Sequence, residues 1–124
     1  MVATDRATTE TLARICEEPA ERIDELRASE PDADAVAGQA AVFSALANAD
    51  RLRILEILRE RECCVCELQV AIDAPQSTVA THLGRLREAG LVRSRRKGRW
   101  RYYRIADTAV LEVLDLAAAI DDAE

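Results

Sequence analysis

A chain of 124 residues, 49% of them hydrophobic, is long enough for one core with an extra arm and too short for two ordinary domains. Aromatics are only 3%, so the interior must be built from Leu, Ile, Val and Ala, which favours helices. The formal charge of −6 argues, taken whole, against a nucleic-acid partner, and no apolar run of about 18 residues is present to span a bilayer.

The polar stretch 1–10 lacks the basic-then-apolar pattern of a secretory signal, so a cytoplasmic location is expected. Leu12, Ile15, Cys16, Ile23 and Leu26 recur at roughly helical spacing, but Pro19 cannot sit inside a helix. Two short helices are therefore expected, with Pro19 in the first turn of the second, which ends near Ala28. Ser29, Glu30, Pro31 and Asp32 read as a linker, making residues 1–32 an arm and residues 33–124 the main domain.

From Asp34 onward, Val36, Ala40, Phe43, Leu46 and Ala47 repeat on one helical face. Asn48, Ala49 and Asp50 supply a break and an N-cap, after which Leu52, Ile54, Leu55, Ile57 and Leu58 predict an apolar helix ending near Glu60. Residues 65–72 read as a short helix closed by Asp73, Ala74 and Pro75. Gln76 opens the next helix, which runs to Ala89 and stops at Gly90. Helix, tight turn, helix is the arrangement of a helix-turn-helix.

In that second helix Val79, Leu83 and Leu86 share one face, while Ser77, Thr78, Thr81 and Arg85 point the other way. Gly84 costs a helix about 1 kcal/mol relative to Ala, which a close approach to DNA or a packing contact would explain. Residues 91–95 and 100–105 have strand character, joined by a turn containing Gly98. Asp107 is an N-cap candidate for a final helix carrying Val110, Leu111, Val113, Leu114, Leu116, Ala117 and Ile120. Apolar over more than one face, it needs cover on two sides, as a dimer interface would provide.

The distribution of charge reverses what the net charge implies. Residues 81–104 hold eight arginines and Lys97 against the single acid Glu88, a local charge of +8. Lys97 is the chain's one lysine; with acids over most of the remaining surface, the composition resembles proteins of salt-accumulating halophiles, or reflects a GC-rich genome. A basic hairpin directly after a helix-turn-helix points to double-stranded DNA. Gln76, Ser77, Thr78, Thr81 and Arg85 are the expected base-reading and backbone-contacting groups. Lys97 and Arg99 would touch phosphate or the neighbouring minor groove. His82 reads as a half-buried packing residue, and Trp100, Tyr102 and Tyr103 as braces of the hairpin.

The run from 46 to 105 contains RLRILEIL, CVCEL, QSTVATHLGRLREAGLV and KGRWRYYRI. It resembles the core of the ArsR/SmtB family of winged-helix metalloregulatory repressors, arsenic-sensing type, over about half the chain. The resemblance implies a mainly α, homodimeric winged helix-turn-helix with a β-hairpin wing. The dimer would be built from the first and last core helices, with a recognition helix at 76–89. It also implies repression of an efflux or detoxification operon from a two-fold operator, relieved when a ligand binds.

Cys64 and Cys66 match the family's CVC box. Two thiols one residue apart at a helix start can converge on one ion, and unpaired amides there favour thiolates. Soft sulfur donors with no nearby histidine select arsenite, antimonite, cadmium or lead before zinc. The third cysteine usual in arsenic-sensing members is replaced here by Gln69. Cys16 in the arm is the leading substitute, since cadmium- and lead-sensing relatives bring arm cysteines to the box from the partner chain. Cys63 can join only if the segment is irregular. The final-helix zinc site of other relatives is expected to be absent, because Ala109 follows Asp107 closely and no histidine comes after His82. No organic cofactor is implied. With one histidine and no glycine-rich phosphate loop, no enzymatic set is present. Two other readings remain open: a thiol redox switch at Cys64 or Cys66, and a soft-metal buffering protein with no operator.

Overall fold

The computed structural model describes residues 6–123. The first five residues of the expected arm and Glu124 lie outside them. The chain divides into two compact units, one ending at Val36 and the other beginning at Ala37. In the first unit α1 (Arg6–Ile15) and α2 (Pro19–Ala28) are joined by a short turn. Pro19 stands at the start of α2, where a missing N–H costs nothing. Leu12, Ile15, Ile23 and Leu26 line a groove shared by the two helices, and neither helix buries a residue fully.

Helix α3 spans Ala33–Leu46 and α4 spans Ala49–Leu58. Between them Asn48 adopts an extended conformation and its side-chain oxygen accepts from the Arg51 N–H at 3.0 Å, as an N-cap should. Strand β1 is only Cys63–Cys64, followed directly by α5 (Val65–Ile72) and α6 (Gln76–Glu88). Strands β2 (Val92–Lys97) and β3 (Trp100–Ile105) form the expected hairpin, and α7 (Thr108–Asp122) begins at Asp107, whose carboxylate accepts from the Ala109 N–H. The sheet order is β1-β3-β2, antiparallel throughout. The sequence pattern predicts only the hairpin; β1 is an added third strand.

The core of the second unit is aliphatic, as the scarcity of aromatics requires. Ile54 and Leu55 of α4, Leu68 of α5, Val79, Leu83 and Leu86 of α6 and Val92 of β2 are its largest fully buried side chains. Their i, i+3 and i, i+4 spacing puts one stripe of each helix inward. Ala45, Leu46, Leu58, Cys63, Ile72, Leu91, Val110 and Leu114 complete the cluster. Outside it, Phe43 on α3 and Leu116 and Ile120 on α7 are 62%, 63% and 75% exposed, so these helices keep apolar surface that the single chain does not cover. No helix among the described residues is long and apolar enough to cross a membrane.

The angle between α5 and α6 is set at Asp73. Its φ of 53° lies in the left-handed region, and Asp73 is the one non-glycine residue among those described with positive φ. The reversed backbone lets the Asp73 and Ala74 N–H groups return to the Gln69 carbonyl, closing α5. Pro75, with φ −64° and ψ 155°, then leads into α6. An L residue pays about 1–2 kcal/mol for that conformation, least when it is Asp or Asn. Asp73→Gly is therefore expected to stabilise the fold by about 0.5–1 kcal/mol and Asp73→Ala to destabilise it by a similar amount. Urea unfolding of the two variants checks the opposite signs.

Candidate nucleic-acid interface and thiol segment

On α6 the apolar stripe of Val79, Leu83 and Leu86 fixes the rotation of the helix, and the opposite side faces solvent. Gln76, Ser77, Thr81 and Arg85 are exposed; Thr78 is half-buried, so it offers less of its hydroxyl than the helical pattern implied. The Thr81 hydroxyl donates to the Ser77 carbonyl at 2.8 Å, which uses its only proton and leaves it an acceptor towards any ligand. Gly84 lies on the same side, and a Cβ built there meets nothing within 4 Å. Among the described residues, a packing contact therefore does not explain this glycine.

His82 is docked. Its side chain is 13% exposed, with Nδ1 3.4 Å from Arg51 Nη1 and Nε2 3.9 Å from Asp50 Oδ2. An arginine can only donate, so a neutral His82 is assigned its proton on Nε2, towards Asp50. Arg51 also donates from Nε to the Ala45 carbonyl at 2.6 Å and from Nη2 to the Ser44 carbonyl at 3.3 Å. One guanidinium thus satisfies the end of α3 and braces α6 against α4.

The hairpin register pairs Val92 with Ile105, Arg95 with Tyr102 and Lys97 with Trp100. Gly98, at φ +65°, takes the first position of the two-residue turn, and Arg99 keeps a negative φ, the signature of a type II′ turn. Lys97 and Arg99 are exposed at this tip, and neither has an ion-pair partner among the described residues. Arg95 is different. Its Nε and Nη2 donate to the two Glu62 carboxylate oxygens at 2.8 and 2.6 Å. The Arg95 hydrogen bond, with the charges of Arg95, Arg104 and Lys97, holds the Glu62 carboxyl below the usual carboxylate range. The pair is therefore intact above that range and is lost only as pH falls through the lowered value.

The thiols divide by environment. Cys63 pairs with Tyr103 and Cys64 with Tyr102, so β1 belongs to the same sheet as the hairpin. Neighbours on a strand face opposite ways. Cys63 turns into the core, and burial first, then the nearby Glu67 carboxylate, pushes its thiol pKa up. Cys64 is buried and Cys66 exposed, while Cys16, in the other unit, is half-buried. All four are free thiols.

The Cys64 N–H, one of the amides expected to favour a thiolate, is already taken: Glu67 Oε1 accepts it at 3.0 Å. That bond, and after it one from the Cys64 thiol, keeps the Glu67 carboxyl below its ordinary range. Two soft donors at the start of α5 suit a thiophilic ion, but no cluster of three Cys, His, Asp or Glu donors exists among the described residues. The donor set is right in kind and incomplete.

Residues 48–94, from the α4 cap through the helix-turn-helix into β2, match the family described as bacterial regulatory protein, arsR family. Over 102 residues, 80% of this chain, the sequence is 36% identical to the transcriptional repressor SmtB homolog of Synechocystis, of which it covers 77%. The chain belongs to the ArsR family. It is also 51% identical over 65 residues to the arsenic resistance transcriptional regulator ArsR1 of Pseudomonas putida, covering 51% of that protein. Among solved structures it resembles the homodimeric winged helix-turn-helix DNA-binding domain Mb0332 of Mycobacterium bovis. The TM-score is 0.69 at 35% identity, over 77% of this chain and 90% of that one.

Membership makes this ArsR-family chain a DNA-binding transcriptional regulator and not an enzyme. The structure adds Glu62, Glu67 and Arg51 to the residues that the sequence singled out. Glu67, three residues after the cap position, is the one with a readable signal, since a carboxylate there completes a capping box. Differential alkylation of the reduced protein is expected to modify Cys66 first, then Cys16, then Cys64, with Cys63 last. Equal rates at Cys63 and Cys66, read by peptide mass spectrometry, would mean that β1 is not formed.

Proposed function

We propose that this ArsR-family chain is a homodimeric repressor that holds a two-fold operator through α6 and the β2–β3 wing and releases it when a thiophilic ion binds. The observation that carries the reading is the position of Cys64. It closes β1, a strand of the wing sheet, and caps α5, the helix that supports α6. The exposed apolar residues Phe43, Leu116 and Ile120 supply the surface for a second copy, in line with the homodimeric Mycobacterium bovis domain.

Gln76, Ser77 and Thr81 would face base edges, Thr78 the groove margin, and Arg85 a guanine or a phosphate. Thr81, an acceptor only, would take the amino group of adenine or cytosine. Lys97 and Arg99 would supply sequence-independent phosphate contacts. Cys64 and Cys66 would hold the ion, with Cys16 providing a third sulfur; Cys63 is disfavoured by its place in the core. A bound soft ion would supply a cross-link between thiolates. Recruiting Cys64 requires its thiol to leave Glu67, which loosens the first turn of α5. Arsenite or antimonite is the favoured inducer, since the ArsR1 relative is an arsenic resistance regulator; cadmium is the alternative, after the cadmium resistance regulator CadC of Listeria innocua.

Arg85→Ala is expected to cost about 1–3 kcal/mol on the cognate operator and to relax sequence preference. Lys97→Ala and Arg99→Ala are expected to weaken binding to any duplex alike, each lowering the salt slope of the dimer by about 1.8, one phosphate contact per protomer. An Arg85→Ala variant with unchanged sequence preference would remove it from base reading.

For the sensor, adding arsenite to reduced protein should weaken operator binding by about tenfold or more, a coupling of about 1–3 kcal/mol. Cys64→Ser, Cys66→Ser and Cys16→Ser should each abolish that response while leaving metal-free binding intact. An unchanged affinity with arsenite, cadmium and lead overturns the sensor reading and not DNA binding. Release by peroxide alone would assign exposed Cys66 to redox chemistry instead.

A further inference from the structure

The second copy aside, one feature of the wing is unaccounted for by DNA contact alone. Arg95 sits midway along β2 in the basic segment, yet it is the wing residue whose guanidinium is engaged in a two-point bond to a carboxylate, that of Glu62. Glu62 immediately precedes β1. Because Cys63 turns into the core, Glu62 and Cys64 share the other face of the sheet. On that face the register places Cys64, Tyr102 and Arg95 in one row across the three strands. Arg93, Lys97 and Arg104 lie on the same face by alternation, so Glu62 shares its face of the sheet with four basic side chains, Arg95 included.

A carboxylate bound through two oxygens to a guanidinium is a close mimic of a phosphate bound the same way. We propose that Glu62 is a positioning residue that competes with the DNA backbone for Arg95, so that the thiol strand sets how many phosphates the wing can neutralise. With Glu62 in place, Arg95 is withheld; when β1 moves relative to β3, the partition of Arg95 between Glu62 and phosphate changes. The first half of this claim needs no inducer. The second deepens the sensor reading and rests on it.

The test compares the wild-type dimer, Glu62→Gln, Arg95→Gln and the double variant, each metal-free and reduced, on a duplex of the cognate operator over a range of salt. Glu62→Gln is expected to bind more tightly at low salt, with a salt slope steeper by about 1.8, one extra phosphate from the wing of each protomer. The gain should shrink roughly twelvefold for each fourfold rise in salt. In the Arg95→Gln background the Glu62→Gln change should have no effect, because the cycle closes through Arg95. Glu60→Gln, an exposed acid nearby, serves as the control for general repulsion.

A Glu62→Gln gain that persists without Arg95, or is matched by Glu60→Gln, would reduce Glu62 to a repelling charge and overturn the proposal. An unchanged slope would overturn it equally, showing that the pair does not touch DNA binding. Adding arsenite to wild type and Glu62→Gln then separates the two readings. A wild type that ignores every thiophilic ion fails the sensor function while the metal-free slopes still decide the pair. A wild type that responds should lose part of its response in Glu62→Gln, and a full response there overturns the link to the thiol strand.

Discussion

The backbone pairing of Cys63 and Cys64 with Tyr103 and Tyr102 is the contact on which the regulator's architecture turns. Two residues of strand are too few to be stable alone. They are held because Cys63 is buried in the core on one side and the chain enters α5 on the other. The consequence is geometric. The wing, which would otherwise be an isolated two-stranded ribbon, becomes the edge of a sheet rooted beside α5, and a displacement of Cys64 reaches both the helix-turn-helix and the wing.

Rigidity on either side of that contact comes from different forces. Behind it, Leu55, Leu68, Leu83 and Leu86 are fully buried and make one aliphatic mass of α4, α5 and α6, in which no polar or charged residue is buried among those described. Apolar contacts are not directional, so they fix distance better than angle. The angle is set by polar devices at the rim: Asn48 capping α4, Arg51 joining the end of α3 to His82, and Asp73 reversing the chain before α6. Substitution at such a position would be expected to alter the attitude of α6 before it unfolds the domain.

Which parts of this fold are legible in the sequence follows from how local their causes are. Pro19, Asn48, Asp73–Pro75, Gly90 and Asp107 act on their own backbone, and the helix boundaries fall where those residues place them. The outward face of α6 is legible because a 3.6-residue period needs no partner, although the half-buried Thr78 shows that a helical pattern cannot tell a fully open position from a shoulder. Strand β1 is not legible. It exists only through a partner some forty residues later, and two residues carry no period. For the same reason the amide expected to await a thiolate proves to be engaged by Glu67, and Arg95, one of the basic residues of the wing, proves to be paired.

The net charge of −6 and the basic wing are reconciled by where the acids find partners. Arg6, Arg22, Arg53 and Arg59 are each paired with a carboxylate three or four residues away, and Arg59 reaches Asp115 as well. Such exposed pairs add little stability, but they leave those arginines with almost no field of their own. Between Arg85 and Arg101, by contrast, Arg95 is the one basic residue with a carboxylate within reach among the described residues. Acids therefore pair with four arginines away from α6 and the wing, while most of the basic residues of α6 and the wing stay unpaired. Within a Debye length of about 8 Å at physiological ionic strength, a phosphate approaching the wing meets the local charge rather than the net one. Because that attraction is the part of binding that salt removes, the contacts proposed for the exposed hydroxyls and amide of α6 would carry a growing share of operator affinity as ionic strength rises.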